Sequence, residues 1–388
     1  MSGDGADQRV VIGTVEAISA IAPADWDLLA APDPSAANPF VKHAFLAALE
    51  RSGSVGQGTG WTPVHLAARQ GGKLIAAAPL YLKDHSFGEY VFDHGWADAY
   101  ARAGGRYYPK LLCAAPFTPA PGPRLLATDG AGRALLARAL IAVAGKLRLS
   151  SVHVNFIDDD AALEAEGFLP RRGIQFHWFN RGYRSYDDFL GALSSRKRKA
   201  LKRERREAAE GLTFTRVTGA DIAERHWDLF WRFYQDTGAR KWGEPYLTRS
   251  FFSLLGETMR NEILLVFAED SGRPIAGALN LIGGDALYGR YWGRTEDRPF
   301  LHFEVCYHQA IDFAIEKGLA RVEAGAQGDH KLARGYEPVI TKSAHWIADP
   351  GFRAAVARYL DAERRQAEAE QAALADETPY RDAGEPSR

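Results

Sequence analysis

Apolar and polar positions repeat along this chain with two periods, and the switches between them mark its elements. Alternation over Arg9–Glu16 predicts a strand, Pro23–Ala30 a short helix, and Phe45, Leu46 and Leu49 put a helical stripe on Val41–Arg51. Thr62–Arg69 and Lys73–Leu82 read as strands flanking Gly71-Gly72, a pair that accepts the positive φ of a tight hairpin. An aromatic segment (Phe87–Ala103), a strand (Tyr107–Ala114), a Pro-rich loop (Pro116–Pro123), a helix (Gly130–Leu147) and strands at Ser151–Ile157 and Gly173–Phe179 follow. A second series then begins. It reads as a strand (Leu212–Val217), helices (Ile222–Thr237, Pro245–Arg260), and a hairpin joining Ile263–Ala268 to Ile275–Ile282 through Asp270-Ser271-Gly272. A strand (Asp285–Trp292), a helix (Phe303–Lys317), strands (Arg321–Ala324, Thr341–Ile347) and a long helix (Gly351–Ala375) complete it. Both series run strand, helices, Gly-containing hairpin, strand, helix, strand, helix, strand. The order predicts a mixed α/β (α+β) protein built by structural duplication. The expected domains are 1–182, 183–348 opening with a basic helix at about 194–210, and a C-terminal helix and tail at 349–388.

Length supports that division, because 388 residues exceed what one core organises, roughly 250–300. With 46% hydrophobic and 25% charged residues the composition is globular. A net charge of −1 excludes a surface built throughout for nucleic acid or an anionic membrane, so any such role is local. Two distant cysteines, Cys113 and Cys306, among apolar or aromatic neighbours, read as buried thiols without disulfide or zinc. Residues Met1–Gln8 lack the pattern of a secretory signal, and no apolar run reaches ~18 residues. The expected location is the cytoplasm, with peripheral contact at the inner membrane.

Candidate chemistry concentrates in the second half. The stretch Glu323–Pro338 leaves a strand, turns through glycines and sets His330, Lys331 and Arg334 within five residues. Backbone N–H groups and cations converging there suit an anion or an oxyanion, although the same residues also read as a polar surface loop. Upstream, helical spacing puts Glu304, Tyr307 and His308 on one face with Ile311 and Ile315 below, as for a helix that starts at a pocket mouth. The same face also reads as a dipole-stabilising Glu beside a hydrogen-bonded Tyr. No His-Glu-x-x-His spacing occurs, so no metal is expected. In the first half, Lys83–Tyr100 interleaves carboxylates and aromatics, which suits an amine or polar-headed ligand and equally a half-buried structural cluster. The run Arg196–Arg206 has no acid before Glu204 and reads as a solvated cationic helix that engages an anion or serves as a linker.

Several segments together resemble one family: Asn38-Pro-Phe, Ala78–Lys83, Glu89–Asp93, Gly95–Tyr100, Arg106–Lys110, Leu301–Glu304, Gly325–Lys331 and Arg334-Gly-Tyr336. They are similar, over nearly the whole chain, to the FemAB-like proteins of bacteria, GNAT-type N-acyltransferases tied to peptidoglycan biosynthesis or recognition. The resemblance implies two tandem GNAT-like folds around a shared cleft and transfer of an acyl or aminoacyl group to an amine. The acceptor is then a cell-envelope precursor or a sphingoid-type lipid amine. Where acetyl-CoA enzymes carry a Gly-rich pyrophosphate loop, this chain has Arg298–Glu304. The implied donors are therefore a longer acyl-CoA, an acyl carrier protein or an aminoacyl-tRNA, with no tightly bound cofactor. The expected roles are Glu304 or His330 as base, Tyr307 as acid, and Lys331 and Arg334 as anion or oxyanion contacts. Substrate contacts are expected from Glu89, Asp93, Trp96, Asp98, Tyr100, Tyr108, Lys110, Tyr291, Trp292, His302, His308 and Gln327. The anionic donor is expected at Arg196, Lys197, Arg198, Lys199, Lys202 and Arg203. A different class, a non-catalytic module that holds a glycopeptide or lipid head group in the same cleft, fits the missing pyrophosphate loop.

Overall fold

The structure is a computed structural model that describes residues 9–240, 245–325 and 328–381. The chain forms two compact units, one of Met1–Gly173 with Thr341–Ala367, the other of Ile174–Ile340 with Glu368–Arg388.

The first unit opens with β1 (Val10–Val15), α1 (Pro23–Ala30) and α2 (His43–Arg51), followed by the strands β2 (Trp61–Pro63), β3 (His65–Gln70), β4 (Lys73–Ala78) and β5 (Leu80–Lys83). The expected hairpin is there, with Gly71 and Gly72 at φ 55° and 82° between β3 and β4. The single strand expected over Lys73–Leu82 is two, because Pro79 has no N–H for a ladder. A helix, α3 (His94–Arg102), forms inside the aromatic segment. Then come β6 (Lys110–Cys113), β7 (Leu126–Ala127), α4 (Gly130–Lys146), β8 (Ser151–Ile157) and α5 (Ala161–Ala165). One sheet has the order β1-β3-β4-β7, and β2, β5, β6 and β8 follow one another in a second. Leu66, Leu111, Leu136, Leu140 and Val152 lie fully buried in the core between strands and α4.

The chain passes to the second unit inside β9 (Leu169–Phe179). After α6 (Tyr186–Ala192) and α7 (Ser195–Ala208) come β10 (Leu212–Thr218), α8 (Glu224–Arg240), α9 (Arg249–Thr258), β11 (Ile263–Asp270), β12 (Arg273–Gly283) and β13 (Ala286–Arg294). A composite helix follows: α10 (Leu301–Phe303), a π-helical turn over Glu304–His308, and α11 (Gln309–Glu316). The last elements are β14 (Arg321–Glu323), a 3-10 turn over Asp329–Arg334, β15 (Glu337–Ile347), within which the chain returns to the first unit, and α12 (Pro350–Asp376). The strands lie in the order β10-β11-β12-β13-β14-β9. Leu264, Val266, Ala278, Leu287 and Val322 pack from one face onto Val305, Ile311 and Ile315. On α8 and α9, Trp227 and Phe230 meet Phe252.

Two departures from a regular sheet open a space at its middle strands. Leu279 opposes Tyr291 whereas Asn280 opposes Gly289, so Arg290 is the extra residue of a bulge. β13 and β14 run parallel and pair only over Ala286–Tyr288 and Arg321–Glu323. Beyond Glu323 the chain stays with β9, through Ala324 N–H to the Phe176 carbonyl and Phe176 N–H to the Gly325 carbonyl, while β13 runs on to Arg294. The sheet therefore splays open between β13 and β14.

The helix expected over Phe303–Lys317 forms, but the face expected from 3.6-residue spacing is corrected by the π turn, which adds a residue to one turn and re-aims the side chains on it. The basic run is helical as expected, but it is not solvated all round. Leu201, Glu204 and Ala208 are buried and Arg205 is half-buried, because the face opposite the exposed cations packs into the unit.

Phe189 is fully buried among the rings of Trp178, Tyr183 and Tyr186, with centroids 5.4–5.7 Å away. Phe189→Ala should lower the unfolding free energy by about 3–5 kcal/mol in denaturant titrations.

Candidate functional site

A cavity occupies the opening between β13 and β14, lined among others by Asn280, Trp292, His302, Cys306, Tyr307 and Ala324. Two of these come from the π turn and one, Asn280, from the stretch of β12 opposite the bulge in β13, so both irregularities serve the cavity. Tyr307 is buried, and its hydroxyl lies 3.1 Å from Nε2 of the half-buried His330. Burial pushes the phenol well above its usual range, so it stays protonated and able to donate. His302 stacks on Trp292 with ring centroids 4.2 Å apart, and Tyr291 packs edge-on against Tyr234 of α8.

The cations of the Gly-rich segment are committed to protein groups. Lys331 donates from Nζ to the carbonyls of Ala324 at 2.7 Å and Gly325 at 3.0 Å, and burial lowers its pKa to about 8. Arg334 donates to both oxygens of Glu204, at 2.8 and 2.6 Å, and from Nη1 to the His330 carbonyl at 2.5 Å. Its guanidinium stacks 3.3 Å over the Phe303 ring. His308 places Nε2 2.8 Å from Glu204 Oε1 and Nδ1 2.5 Å from the Tyr186 hydroxyl, so an Nε2–H that donates to Glu204 leaves Nδ1 to accept from Tyr186. Burial raises the Glu204 carboxyl, but the bonds from His308 and Arg334 outweigh it and hold it below its usual range.

Of the two candidate bases, His330 is the one brought to Tyr307. Glu304 is buried and bound by Arg205 Nε and Nη2 at 3.1 and 2.9 Å and by Gln309 at 2.8 Å, away from the cavity lining. Gln327 lies outside the described residues. Asn280 is not among the site residues expected from the sequence, and Cys306, expected as a buried thiol, is instead half-buried on the cavity wall. The signal for Asn280 was a lone polar residue in an apolar strand, whereas nothing in the sequence marks which way Cys306 faces. On α7, Arg196 and Lys199 are exposed and Lys197 and Arg198 half-buried, while Lys202 meets Asp187 at 3.0 Å and Arg203 meets Glu207 at 3.4 Å. Among the described residues no group of three or more His, Cys, Asp or Glu side chains could hold a metal ion, and no helix is long and apolar enough to cross a membrane.

The first-half candidates form their own network in the first unit. Lys110, fully buried, donates to Ser86 at 2.7 Å, Glu89 at 2.8 Å and Asp93 at 2.5 Å. Tyr107 adds a bond to Asp93 at 2.7 Å, and the Tyr108 hydroxyl lies 2.8 Å from Ser86. Burial pushes Glu89 up to about 7 against the pull of Lys110, whereas for Asp93 the same burial is outweighed and its carboxyl stays well below its usual range. Trp96 is buried beneath the Arg171 guanidinium, Tyr100 stacks on Phe352 at 4.6 Å, and Asp98 is exposed. These contacts account for the cluster as a buried charge network.

The FemAB-like family, described as peptidoglycan biosynthesis/recognition, matches residues 17–382. The chain belongs to the FemAB-like family. This FemAB-like chain is similar in structure to FemX, at 13% identity and a TM-score of 0.55, over 87% of this chain and 98% of that one. It is also similar to L-PGS from Bacillus licheniformis, at 12% identity and a TM-score of 0.50, over 83% and 97% of the two chains. A tandem GNAT protein from the clavulanic acid biosynthesis pathway aligns at 14% identity over 88% and 99%, with a TM-score of 0.44. No curated protein matches in sequence. The fold is the one expected in class, mixed α/β, and is shared over most of the chain with FemX and L-PGS.

The Glu89 shift has a measurable sign. A carboxyl raised from 4.5 to about 7 holds a proton in the folded state where the unfolded chain has lost it. Its contribution is complete below pH 4.5 and lost as pH rises through about 7. Wild-type stability should therefore fall relative to Glu89→Gln across that window in denaturant melts, and a difference independent of pH would contradict the shift.

Proposed function

We propose that this FemAB-like protein is an N-acyltransferase whose reaction takes place in the cavity between β13 and β14. The observation that carries the reading is the Tyr307 hydroxyl held 3.1 Å from His330 on the wall of that cavity. Acyl transfer to an amine requires a proton donor for the departing thiolate or alkoxide, and a protonated phenol backed by an imidazole supplies one. Lys331 and Arg334, through their bonds to the carbonyls of Ala324, Gly325 and His330, act as positioning residues for the loop that carries His330. The Asn280 amide and the Trp292–His302 stack offer a polar contact and a flat wall to the acyl group. The donor class is an acyl-CoA, an acyl carrier protein or an aminoacyl-tRNA, each of them anionic, and the exposed cations of α7 suit such a partner. The acceptor class is an amine of a cell-envelope precursor or a sphingoid-type lipid.

Mass spectrometry of the protein incubated with each donor class and a panel of amines tests the reading. Acylated amine is the expected product, and amine bound but never acylated would leave a recognition module instead. With the productive pair, Tyr307→Phe should lower kcat about 10²–10⁴-fold while the melting temperature stays close to wild type.

A further inference from the structure

We infer, on the strength of the acyl-transfer reading above, that Glu323 is the catalytic residue that takes the proton from the amine acceptor, which reaches the opening from the α8 face of the sheet. Glu323 is the last residue of β14 paired with β13, opposite Tyr288. The next residue on each strand, Ala324 and Gly289, lines the cavity, so the carboxylate stands where the splay begins. Side chains alternate along a strand, and Val322 packs under the composite helix, so Glu323 projects from the other face. The cavity is lined from both faces, by Cys306 and Tyr307 on the helix side and by Tyr291, which meets Tyr234 of α8, on the other. Donor and acceptor can thus approach from opposite faces and meet in the gap.

The state of the carboxylate supports this role. Glu323 is 5% exposed, and Arg321 Nε donates to its Oε1 at 2.9 Å. Oε2 has no hydrogen-bond partner among the described residues. A buried acceptor left unmade costs about 1–3 kcal/mol, a cost that a proton or an amine brought to Oε2 would offset. The groups around it are Arg321 on β14, His177 on β9 with Nε2 3.8 Å from Oε2, Tyr288 and Arg290 on β13, and Asp285 before β13. Burial lowers the His177 imidazole to about 3, so it adds no charge near neutrality. Burial likewise pushes Glu323 up to about 7 against the pull of Arg321, a value matched to deprotonating an ammonium near neutral pH.

In this step the ammonium gives one proton to Glu323, and the free amine attacks the acyl carbon, forming the C–N bond. As the adduct collapses, the donor C–S or C–O bond breaks, the nitrogen releases its second proton to solvent, and the leaving thiolate or alkoxide takes one from Tyr307. His330 returns a proton from solvent to Tyr307.

The test is the pH dependence of kcat/KM for amine acylation, read by mass spectrometry, in wild type, Glu323→Gln and Glu323→Asp. Wild type should show an acid limb with its midpoint near 7. In Glu323→Gln that limb should vanish and the rate of the folded protein fall about 10²–10⁴-fold. Glu323→Asp should keep a limb but lose at least about tenfold, since the shorter carboxylate sits too far back. A folded Glu323→Gln with the wild-type profile overturns the assignment and leaves acyl transfer standing. If Glu323→Gln fails to fold, an undiminished Glu323→Asp overturns it equally. A wild type that acylates no amine removes both readings together.

Discussion

One buried carboxylate holds the second unit's site in register. Glu204, on the inward face of α7, takes both donors of the Arg334 fork and the imidazole of His308, and so ties together a helix, the π turn and the segment that follows β14. Arg334 in turn holds the His330 carbonyl, and His308 immediately follows Tyr307 in the chain, so the spacing of the Tyr307–His330 pair is set from behind. Taking one partner from a buried ion pair typically costs about 3–5 kcal/mol, because the other charge is left uncompensated. The neighbouring Arg205 repeats the device with Glu304 and Asp312. An apparently solvated basic run therefore has two sides: outward cations, and an inward Glu and Arg on which the site depends.

Much of the fold was legible because it follows from local rules. The Gly71-Gly72 hairpin and the Ser271-Gly272 turn need positive φ, and those residues take it, with Ser271 at 51° and Gly272 at 78°. The repeated order of strands and helices is written in the periodicity itself. The illegible features depend on tertiary partners. A π turn leaves the apolar period of Val305, Ile311 and Ile315 nearly intact while re-aiming Glu304, Tyr307 and His308, so a face drawn from 3.6-residue spacing put Glu304 beside the site when it belongs to Arg205. The inward turn of Glu204 could not be read from a run of cations either, since its partners lie 104 and 130 residues away.

The candidate site divides in the same way. The crowding of polar types at a helix start and a strand exit points to Tyr307 and His330, and the structure brings them together. The sequence pattern of Lys331 and Arg334 suits groups facing an anion, yet each spends donors on carbonyls or a carboxylate of its own chain. Cationic residues near a strand end thus signal a site without signalling which of them faces it. Asn280, Cys306 and Glu323 acquire a place only through the bulge in β13 and the early end of β13–β14 pairing, neither of which has a local sequence mark.

Acyl transfer at this site requires that the opening between β13 and β14 receive the acyl donor. The sequence provides its own probe, because of two cysteines one lines this cavity and the other, Cys113, is fully buried with its thiol pushed up to about 12. Intact-mass measurement of iodoacetamide labelling should show one reactive site, Cys306. Saturating donor, free of amine, should slow that labelling at least about tenfold. Labelling of Cys306 at the same rate with and without every donor class would place acyl transfer elsewhere and contradict the assignment of this cavity.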